Sequence, residues 1–297
     1  IIKKDSKKFI PNIDVKINWE NANGELKSKI LNLKLQVQDK LIPWDELKRR
    51  KPYSITKIDS EDNLFGRNTI LSELKENILS NKIESYKIWG QKRVGKSSIV
   101  LTLKSILNQE ENIIIVYKEV SRNINPIESL NELGKEISIE LLDEILNKIN
   151  DINKVDRIRD IELPQFNGSL QPLERYIKNI LRVDKKLKFV FILDEFDRLN
   201  EEFFLPGNIG ESFSLSIGKQ ISGNDNVGFI LVGAENMSLL DYQEINYNSF
   251  EDLRVDTFNR NKDFDAYTKI IKNPVESFIT FSDEAVNEIF KVTNGNP

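Results

Sequence analysis

The spacing of hydrophobic residues follows one pattern in the first part of the chain and another pattern in the rest. Apolar residues alternate with polar ones in the runs 13–19 and 31–37, and Asn23-Gly24 lies between the runs. A period of two is typical of half-buried strands, and Asn-Gly favours a tight turn. We therefore expect a small β-rich region over residues 1–57. Its basic stretch Lys48–Lys51 is interpreted as a linker, with a contact to nucleic acid or another anionic partner as the alternative.

A different pattern begins at residue 58. Apolar runs alternate with stretches of helical period, which predicts an α/β fold with a parallel sheet and helices on both faces. The expected strands are 86–89, 112–120, 188–193, 227–232 and 253–258, and the expected helices are 71–79, 96–107, 130–147 and 171–182. Residues 151–169 contain Pro164 and Asn167-Gly168 and are expected to form a loop.

The end of the chain is again helical in period. Ser282 is expected to cap a last helix, and Gly295 follows the end of that helix. We therefore divide the chain into the β-rich region 1–57, an α/β core at 58–260 and a helical segment at 261–297.

A glycine-rich motif stands between a predicted strand and a predicted helix. Gly90, Gly95, Lys96 and Ser97 form the pattern G-x-x-x-x-G-K-[ST], whose backbone amides can surround a phosphate. Lys96 is expected to reach the β- and γ-phosphates. The alternative is an ordinary strand–turn–helix with a surface lysine. The residues expected to bind the nucleotide here are Gly90, Gln91, Lys92, Arg93, Val94, Gly95, Lys96, Ser97 and Ser98.

A second signal is the acidic pair Asp194-Glu195, which follows the apolar run 189–193. A buried strand here delivers a carboxylate to the sheet edge, where Asp194 and the Ser97 hydroxyl can hold Mg²⁺. Glu195 is then the candidate catalytic base that polarises the attacking water. The alternative is two acids that are favourable at a helix N-terminus.

Two polar residues beyond these motifs are candidate sensors. Asn236 follows the predicted strand 227–232 and is expected to report the γ-phosphate, with a helix cap as the alternative. Arg198 is interpreted either as a sensor of phosphate or of a neighbouring subunit, or as part of a surface salt bridge.

Composition narrows the chemistry further. The chain has no Cys and no His, which excludes disulfides, cysteine nucleophiles and histidine bases. Lys plus Arg is 43 and Asp plus Glu is 47, and the net charge of −4 argues against a main task of coating nucleic acid. We see no membrane span and no signal peptide and expect a cytoplasmic protein. Residue 1 is Ile, so we expect a segment of a longer chain.

Together these motifs resemble the STAND branch of the P-loop ATPases, close to AAA+ and origin-recognition-type ATPases. The resemblance covers about residues 62–297. Here Gly90–Ser98 is similar to the Walker A motif and Leu193–Leu199 to Walker B. Leu64-Phe65-Gly66-Arg67 is similar to the F-x-G-R segment, although Phe and Gly are adjacent here. Thr293–Pro297 resembles the T-G-G-N-P element of the helical lid, which would begin at 261.

The resemblance implies ATP and Mg²⁺ as ligands, with Phe65, Gly66 and Arg67 at the adenine region and Pro297 near the nucleotide. It implies a switch in a larger signalling protein, self-association through the ATPase domain, further protein domains, and a role in bacterial antiphage defence. Arg254 and Arg260 lack a distinctive context, so no arginine finger is assigned. An origin-recognition-like or transposition-helper ATPase acting on DNA stays open, as does a nucleotide-bound scaffold without turnover.

Overall fold

The computed structural model describes residues 12–20, 24–34, 44–50, 52–53, 56–120, 126–198, 216–217, 224–235, 237 and 250–297. Contacts divide the chain into two units. Unit 1 is Ile1–Ile55 with Asn259–Gly295, and unit 2 is Thr56–Phe258 with Asn296–Pro297. The three-part division expected from the sequence stays a prediction.

The elements are numbered in chain order over the described residues. The strands are β1 (Asn12–Glu20), β2 (Leu26–Lys34), β3 (Tyr86–Trp89), β4 (Ile113–Glu119), β5 (Lys188–Asp194), β6 (Val227–Val232) and β7 (Glu251–Arg254). The α-helices are α1 (Trp44–Arg50), α2 (Asn68–Leu79), α3 (Lys96–Leu107), α4 (Pro126–Lys148), α5 (Ile152–Arg159), α6 (Gln171–Val183), α7 (Arg260–Lys272) and α8 (Asp283–Thr293). Short 3-10 helices cover Glu61–Asn63, Phe196–Arg198 and Asn273–Val275.

Unit 2 is built on a parallel sheet with the strand order β4-β5-β6-β3-β7. The central strands β5 and β6 contain the apolar runs 189–193 and 229–232 because both faces of the sheet are covered. Along β5, Phe189, Phe191 and Leu193 enter one core, and Val190 and Ile192 enter the other. The period of two therefore persists inside a continuous apolar run, and it distributes side chains between two cores.

Helices complete a three-layer arrangement. The core that contains Phe189 and Phe191 is closed by α4, α5 and α6, which contribute buried residues such as Leu141, Ile158 and Ile177. The opposite core is closed by apolar residues of α2 and α3. This arrangement confirms the α/β class with a parallel sheet and flanking helices.

The loop expected over 151–169 contains a helix, so this prediction was wrong for its first half. Asp151 caps α5 and accepts hydrogen bonds from the amides of Asn153 (3.0 Å) and Lys154 (3.3 Å). The fully buried Ile158 anchors the helix to the core. At two turns the helix is too short to be stable alone, so packing rather than propensity creates it.

The expected linker also lies partly in a helix. Lys48, Arg49 and Arg50 form the last turn of α1, where positive charges are favourable because carbonyl groups point out of that end. Lys51 lies outside the described residues. The strand expected at 253–258 is shifted, since β7 covers Glu251–Arg254. As an edge strand, β7 buries mainly Leu253, so its sequence is not a continuous apolar run.

Unit 1 contains the expected hairpin and the C-terminal helices. β1 and β2 pair antiparallel, with Ile17 opposite Lys29, while Asn23 and the run 35–37 lie outside the described residues. In α8 the ring of Phe290 packs edge-on against Tyr267 of α7 at 4.9 Å. The Ser282 cap is confirmed by its hydrogen bond from the Ala285 amide (3.2 Å).

None of the helices in the described part of the chain is both long and apolar enough to span a membrane.

A glycine in α4 supplies a test of this packing. Helix glycines usually gain about 1 kcal/mol on replacement by Ala, but a Cβ at Gly134 would lie 2.7 Å from the Phe166 ring. The loop with Phe166 is tied to α4 because the Gly168 amide donates to Asn131 Oδ1 (2.8 Å). We expect Gly134→Ala to lower the free energy of unfolding by about 1–2 kcal/mol in urea titrations.

The control is the same substitution in a Phe166→Ala background. There the ring is absent, and we expect Gly134→Ala to become stabilising by about 1 kcal/mol. A destabilisation of equal size in both backgrounds would contradict the contact.

Candidate functional site

Parallel strands carry their carboxyl ends to one edge of the sheet, where ligands bind in α/β proteins. The residues Gly90–Gly95, here called the glycine loop, follow β3 at this edge. Asp194 ends β5, and Glu119 lies directly opposite Asp194 in the pairing with β4. Gly233 follows β6. Residues from distant parts of the chain therefore lie together at the carboxyl edge of the sheet.

Backbone conformation shapes the glycine loop. Gly90 has φ of 149°, and a Cβ there would lie 2.2 Å from the Val255 carbonyl oxygen. Gly95 caps α3 in the left-handed conformation with φ of 96°, and Arg93 has φ of 67°. Val94 is fully buried and anchors the loop. A wound loop before a helix N-terminus presents amides to an anion.

Lys96 places a positive charge at this loop. Its Nζ donates to the carbonyl oxygens of Gly90 (2.9 Å) and Gln91 (2.6 Å). Burial lowers the pKa of Lys96, and the carboxylates of Asp197, Asp194, Glu195 and Glu235 act in the opposite direction. The ammonium group is thus placed between the loop and acidic residues at the sheet edge.

Asp194 is the buried acid of the site, with 2% of its surface exposed. Its Oδ2 accepts hydrogen bonds from Tyr117 Oη (2.7 Å) and Lys57 Nζ (3.0 Å). Burial alone would raise the pKa of Asp194, but hydrogen bonds from Tyr117, Ser97 and Lys57 hold it below its ordinary value. Asp194 is therefore an anion despite its burial.

Glu195 follows with an unusual backbone conformation. Its φ is 57°, in the left-handed region that a non-glycine residue adopts at a cost of about 1 kcal/mol. Its amide donates to Oδ1 of Asp194 at 2.9 Å. This turn ends β5 abruptly and leaves Glu195 half-buried, next to Asp194 at the same edge.

The donor set fits Mg²⁺. The Ser97 hydroxyl contributes to lowering the pKa of the Asp194 carboxylate, so two hard oxygen donors lie near each other. Mg²⁺ is commonly held by one or two carboxylates together with phosphate and water oxygens. Within the described ranges, no group of three or more acidic residues could hold a metal alone. A metal held by Ser97 and Asp194 would therefore complete its coordination with water or phosphate oxygens.

Sequence reasoning missed three residues of this edge. Lys57 Nζ bonds Glu119 and Tyr117 Oη (3.0 Å) as well as Asp194. Although burial opposes it, the hydrogen bonds to Glu119, Tyr117 and Asp194 raise the pKa of Lys57 above its ordinary value. The change from Ile-Ile-Ile-Val to Tyr-Lys-Glu at the end of β4 signals that the strand reaches a polar edge. No comparable signal marks Lys57.

Arg67 contacts the glycine loop directly. Its Nη2 donates to the carbonyl oxygens of Val94 (3.1 Å) and Asp256 (2.7 Å), and its guanidinium stacks over Phe258 at 4.3 Å. Arg67 is buried and links three segments of unit 2. The adenine contact that the resemblance implies for Phe65, Gly66 and Arg67 stays a prediction.

The remaining candidates are placed as follows. Asn236 and the side chain of Arg198 lie outside the described part of the chain. Pro297 is exposed, and its role near a nucleotide stays a prediction. Arg254 stacks over Trp89 at 5.2 Å, and Arg260 donates to Asn287 Oδ1 at 2.6 Å.

The fold is similar to solved structures. Cdc6p from Pyrobaculum aerophilum superposes with a TM-score of 0.50 at 14% identity, and the match covers 83% of this chain and 59% of that chain. The Orc1 protein of Aeropyrum pernix, in complex with DNA, gives 0.49 and 14%, covering 78% and 55%. This chain therefore spans less than two thirds of either protein.

The similarity to Cdc6p agrees with the fold described above, an α/β fold with a parallel five-stranded sheet and flanking helices. No protein-family model matches the chain, and no curated protein sequence matches it.

The two glycines of the loop are needed for different reasons, which can be tested separately. We expect Gly90→Ala to cost about 3 kcal/mol or more, because its Cβ overlaps the backbone of Val255. Gly95 has no neighbour within 4 Å of an added Cβ, so Gly95→Ala should cost only its left-handed strain, about 1 kcal/mol. Urea unfolding of both variants measures this difference, and equal losses would contradict the two causes.

Proposed function

We propose that unit 2 binds ATP with Mg²⁺ at the carboxyl edge of its sheet and hydrolyses it. The observation that carries this proposal is the meeting of the glycine loop and Lys96 with the buried anion Asp194. A polyphosphate needs amides and a lysine on one side and an acid that holds the metal on the other. The glycine loop after β3 and Lys96 at the start of α3 would supply the first, and Asp194 at the end of β5 would supply the second.

The residues divide the work between binding and catalysis. The loop amides and Lys96 would bind the phosphates, replacing the contacts that Lys96 makes to Gly90 and Gln91. Ser97 and Asp194 would hold Mg²⁺, which supplies charge neutralisation of the phosphate oxygens. Glu195 would orient the attacking water and accept a proton from it, since the chain has no histidine for this task.

We further propose that the nucleotide state controls conformation and self-association. Two of the three chain connections between the units carry residues that contact the site or its neighbours. Lys57, two residues after Ile55, contacts Asp194, and Phe258, the last residue before Asn259, lies under Arg67. Nucleotide-dependent changes at the loop or at Asp194 would therefore reach these two connections. A STAND-type signalling role, including bacterial antiphage defence, rests on the resemblance of the motifs alone.

Binding and turnover are separated by two substitutions. We expect Lys96→Ala to weaken ATP binding about 100-fold, because a charge contact to the phosphates is lost. Glu195→Gln should keep ATP affinity and lose turnover about 100-fold or more. Fluorescent-nucleotide titration and phosphate release measure these effects, with Lys104→Ala on the same helix as the control, since Lys104 pairs with Glu144 (2.8 Å).

Each outcome has a separate meaning. Unchanged affinity in Lys96→Ala would contradict the site, and normal turnover in Glu195→Gln would remove Glu195 from its role. ATP retention without phosphate release by the unsubstituted protein, also when self-associated, would favour the non-hydrolysing scaffold.

A second candidate is an ATPase that acts on DNA. The observation in its favour is the exposed basic last turn of α1, formed by Lys48, Arg49 and Arg50. We expect duplex DNA binding that weakens steeply with salt and is lost in Lys48→Glu/Arg49→Glu. The matched control is Lys178→Glu/Arg182→Glu on α6, which removes two exposed charges elsewhere. Absence of salt-dependent binding, or equal loss in both variants, would contradict this candidate.

A further inference from the structure

The Lys57 ammonium group is coordinated by oxygen atoms much as a hard cation is. A lysine ammonium has three hydrogens to donate. Here it contacts three acceptors: a carboxylate oxygen of Glu119, the Tyr117 hydroxyl at 3.0 Å and Asp194 Oδ2 at 3.0 Å. Its donor capacity is fully used, and Tyr117 donates in turn to the same oxygen of Asp194 at 2.7 Å.

Charge explains why a cation belongs at this point. Glu119 and Asp194 occupy opposed positions at the ends of two paired strands, so two carboxylates lie close together. Asp194 is nearly inaccessible to solvent, with 3% of its side chain exposed. A buried carboxylate next to a second one needs a positive charge beside it, and Lys57 supplies that charge.

The same Asp194 carboxylate is the acid that the proposed function assigns to Mg²⁺. Lys57 and Tyr117 both donate to Oδ2, which uses both lone pairs of that oxygen, and the Glu195 amide donates to Oδ1. A divalent cation that binds Oδ2 of Asp194 must therefore replace a donor. Lys57 is the charged partner, and its repulsion of a second cation makes it the group that must move.

We propose that the Lys57 ammonium is a resident counter-ion of Asp194, which a divalent cation displaces when it binds this carboxylate. The proposal rests on the proposed function for the identity of the metal-binding acid. Loading of the site is then an exchange of one cation for another, and Lys57 is a positioning residue that sets the metal affinity.

The exchange also affects the chain connection that carries Lys57. Residues 56–58 begin unit 2 directly after Ile55, and they are held by the Lys57 contacts and by the Ile58 amide, which donates to Ser98 Oγ at 3.1 Å. Ser98 is the neighbour of Ser97, the second candidate metal ligand. Displacement of Lys57 would remove the charged anchor of this segment, while the hydrogen bond to Ser98 would remain.

The test measures metal affinity without nucleotide, so that activity plays no part. Free Mn²⁺ is followed by electron paramagnetic resonance, since carboxylate sites that take Mg²⁺ also take Mn²⁺. The variants are Lys57→Met, which removes the charge, and Lys57→Arg, which keeps it. The control is Lys118→Met. Lys118 lies next to Glu119 near the end of β4, and its ammonium group pairs with Glu140 (2.9 Å) rather than with Asp194.

We expect Lys57→Met to bind Mn²⁺ about five- to tenfold more tightly than the unsubstituted protein, as removal of a partly exposed competing charge allows. Lys57→Arg and Lys118→Met should bind as the unsubstituted protein does. In the double variant Lys57→Met/Asp194→Asn, the gain in Mn²⁺ affinity should be lost. Lys57→Gln, a second neutral variant that retains a hydrogen-bond donor, gives the same comparison if Lys57→Met does not fold.

Unchanged or weaker Mn²⁺ binding in the folded neutral variants would overturn the proposal, because Lys57 would then assist the metal or not affect it. An equal gain in Lys118→Met would show a general charge effect and overturn it too. Hydrogen exchange at the Ile58 amide should become faster at saturating Mn²⁺, and unchanged exchange would contradict release of the segment.

ATP titrations of the same proteins keep the two proposals apart. Intact ATP binding with unchanged Mn²⁺ affinity contradicts this inference alone. Absent ATP binding by the unsubstituted protein contradicts the proposed function, whatever the Mn²⁺ result.

Discussion

The buried carboxylate of Asp194 organises the edge of the sheet. A carboxylate that is almost fully removed from water stays ionised only when donors or cations surround it. Tyr117, Ser97 and Lys57 surround it from three separate segments: the end of β4, the start of α3 and the chain before α2. The buried charge of Asp194 thus brings together the segments on which phosphate chemistry would depend. One of its partners, Lys57, belongs to the start of unit 2.

A second coupling holds the glycine loop to the rest of unit 2. Arg67 donates to Val94 within the loop and to Asp256 after β7, and Gly90 lets the loop approach Val255 closely. These contacts hold the loop against the residues that follow the edge strand β7. The loop geometry is therefore a property of the packed sheet as much as of its glycines, and a nucleotide that alters the loop would act on β7 through the same contacts.

The elements that could be predicted are those whose buried residues form a visible pattern in a continuous stretch of sequence. The limits of α3 and β6 were predicted as they occur, because an apolar run or a helical stripe is visible without its neighbours. The helices α1 and α5 were missed since each is short and depends on caps and packing. β7 was displaced by a few residues because an edge strand buries side chains mainly on one face.

The sequence alone determined the α/β class, and it predicted the chemistry of the candidate site. These predictions rest on local patterns, namely the spacing of Gly90, Gly95 and Lys96 and the acidic pair that begins at Asp194. Local patterns survive folding because neighbours in sequence stay neighbours in space. Only the tertiary structure decided which residues surround Asp194. Lys57 lies 137 positions away from it in sequence, and no local period encodes such a contact; it exists because parallel strands bring their carboxyl ends together and a buried charge selects its partner there.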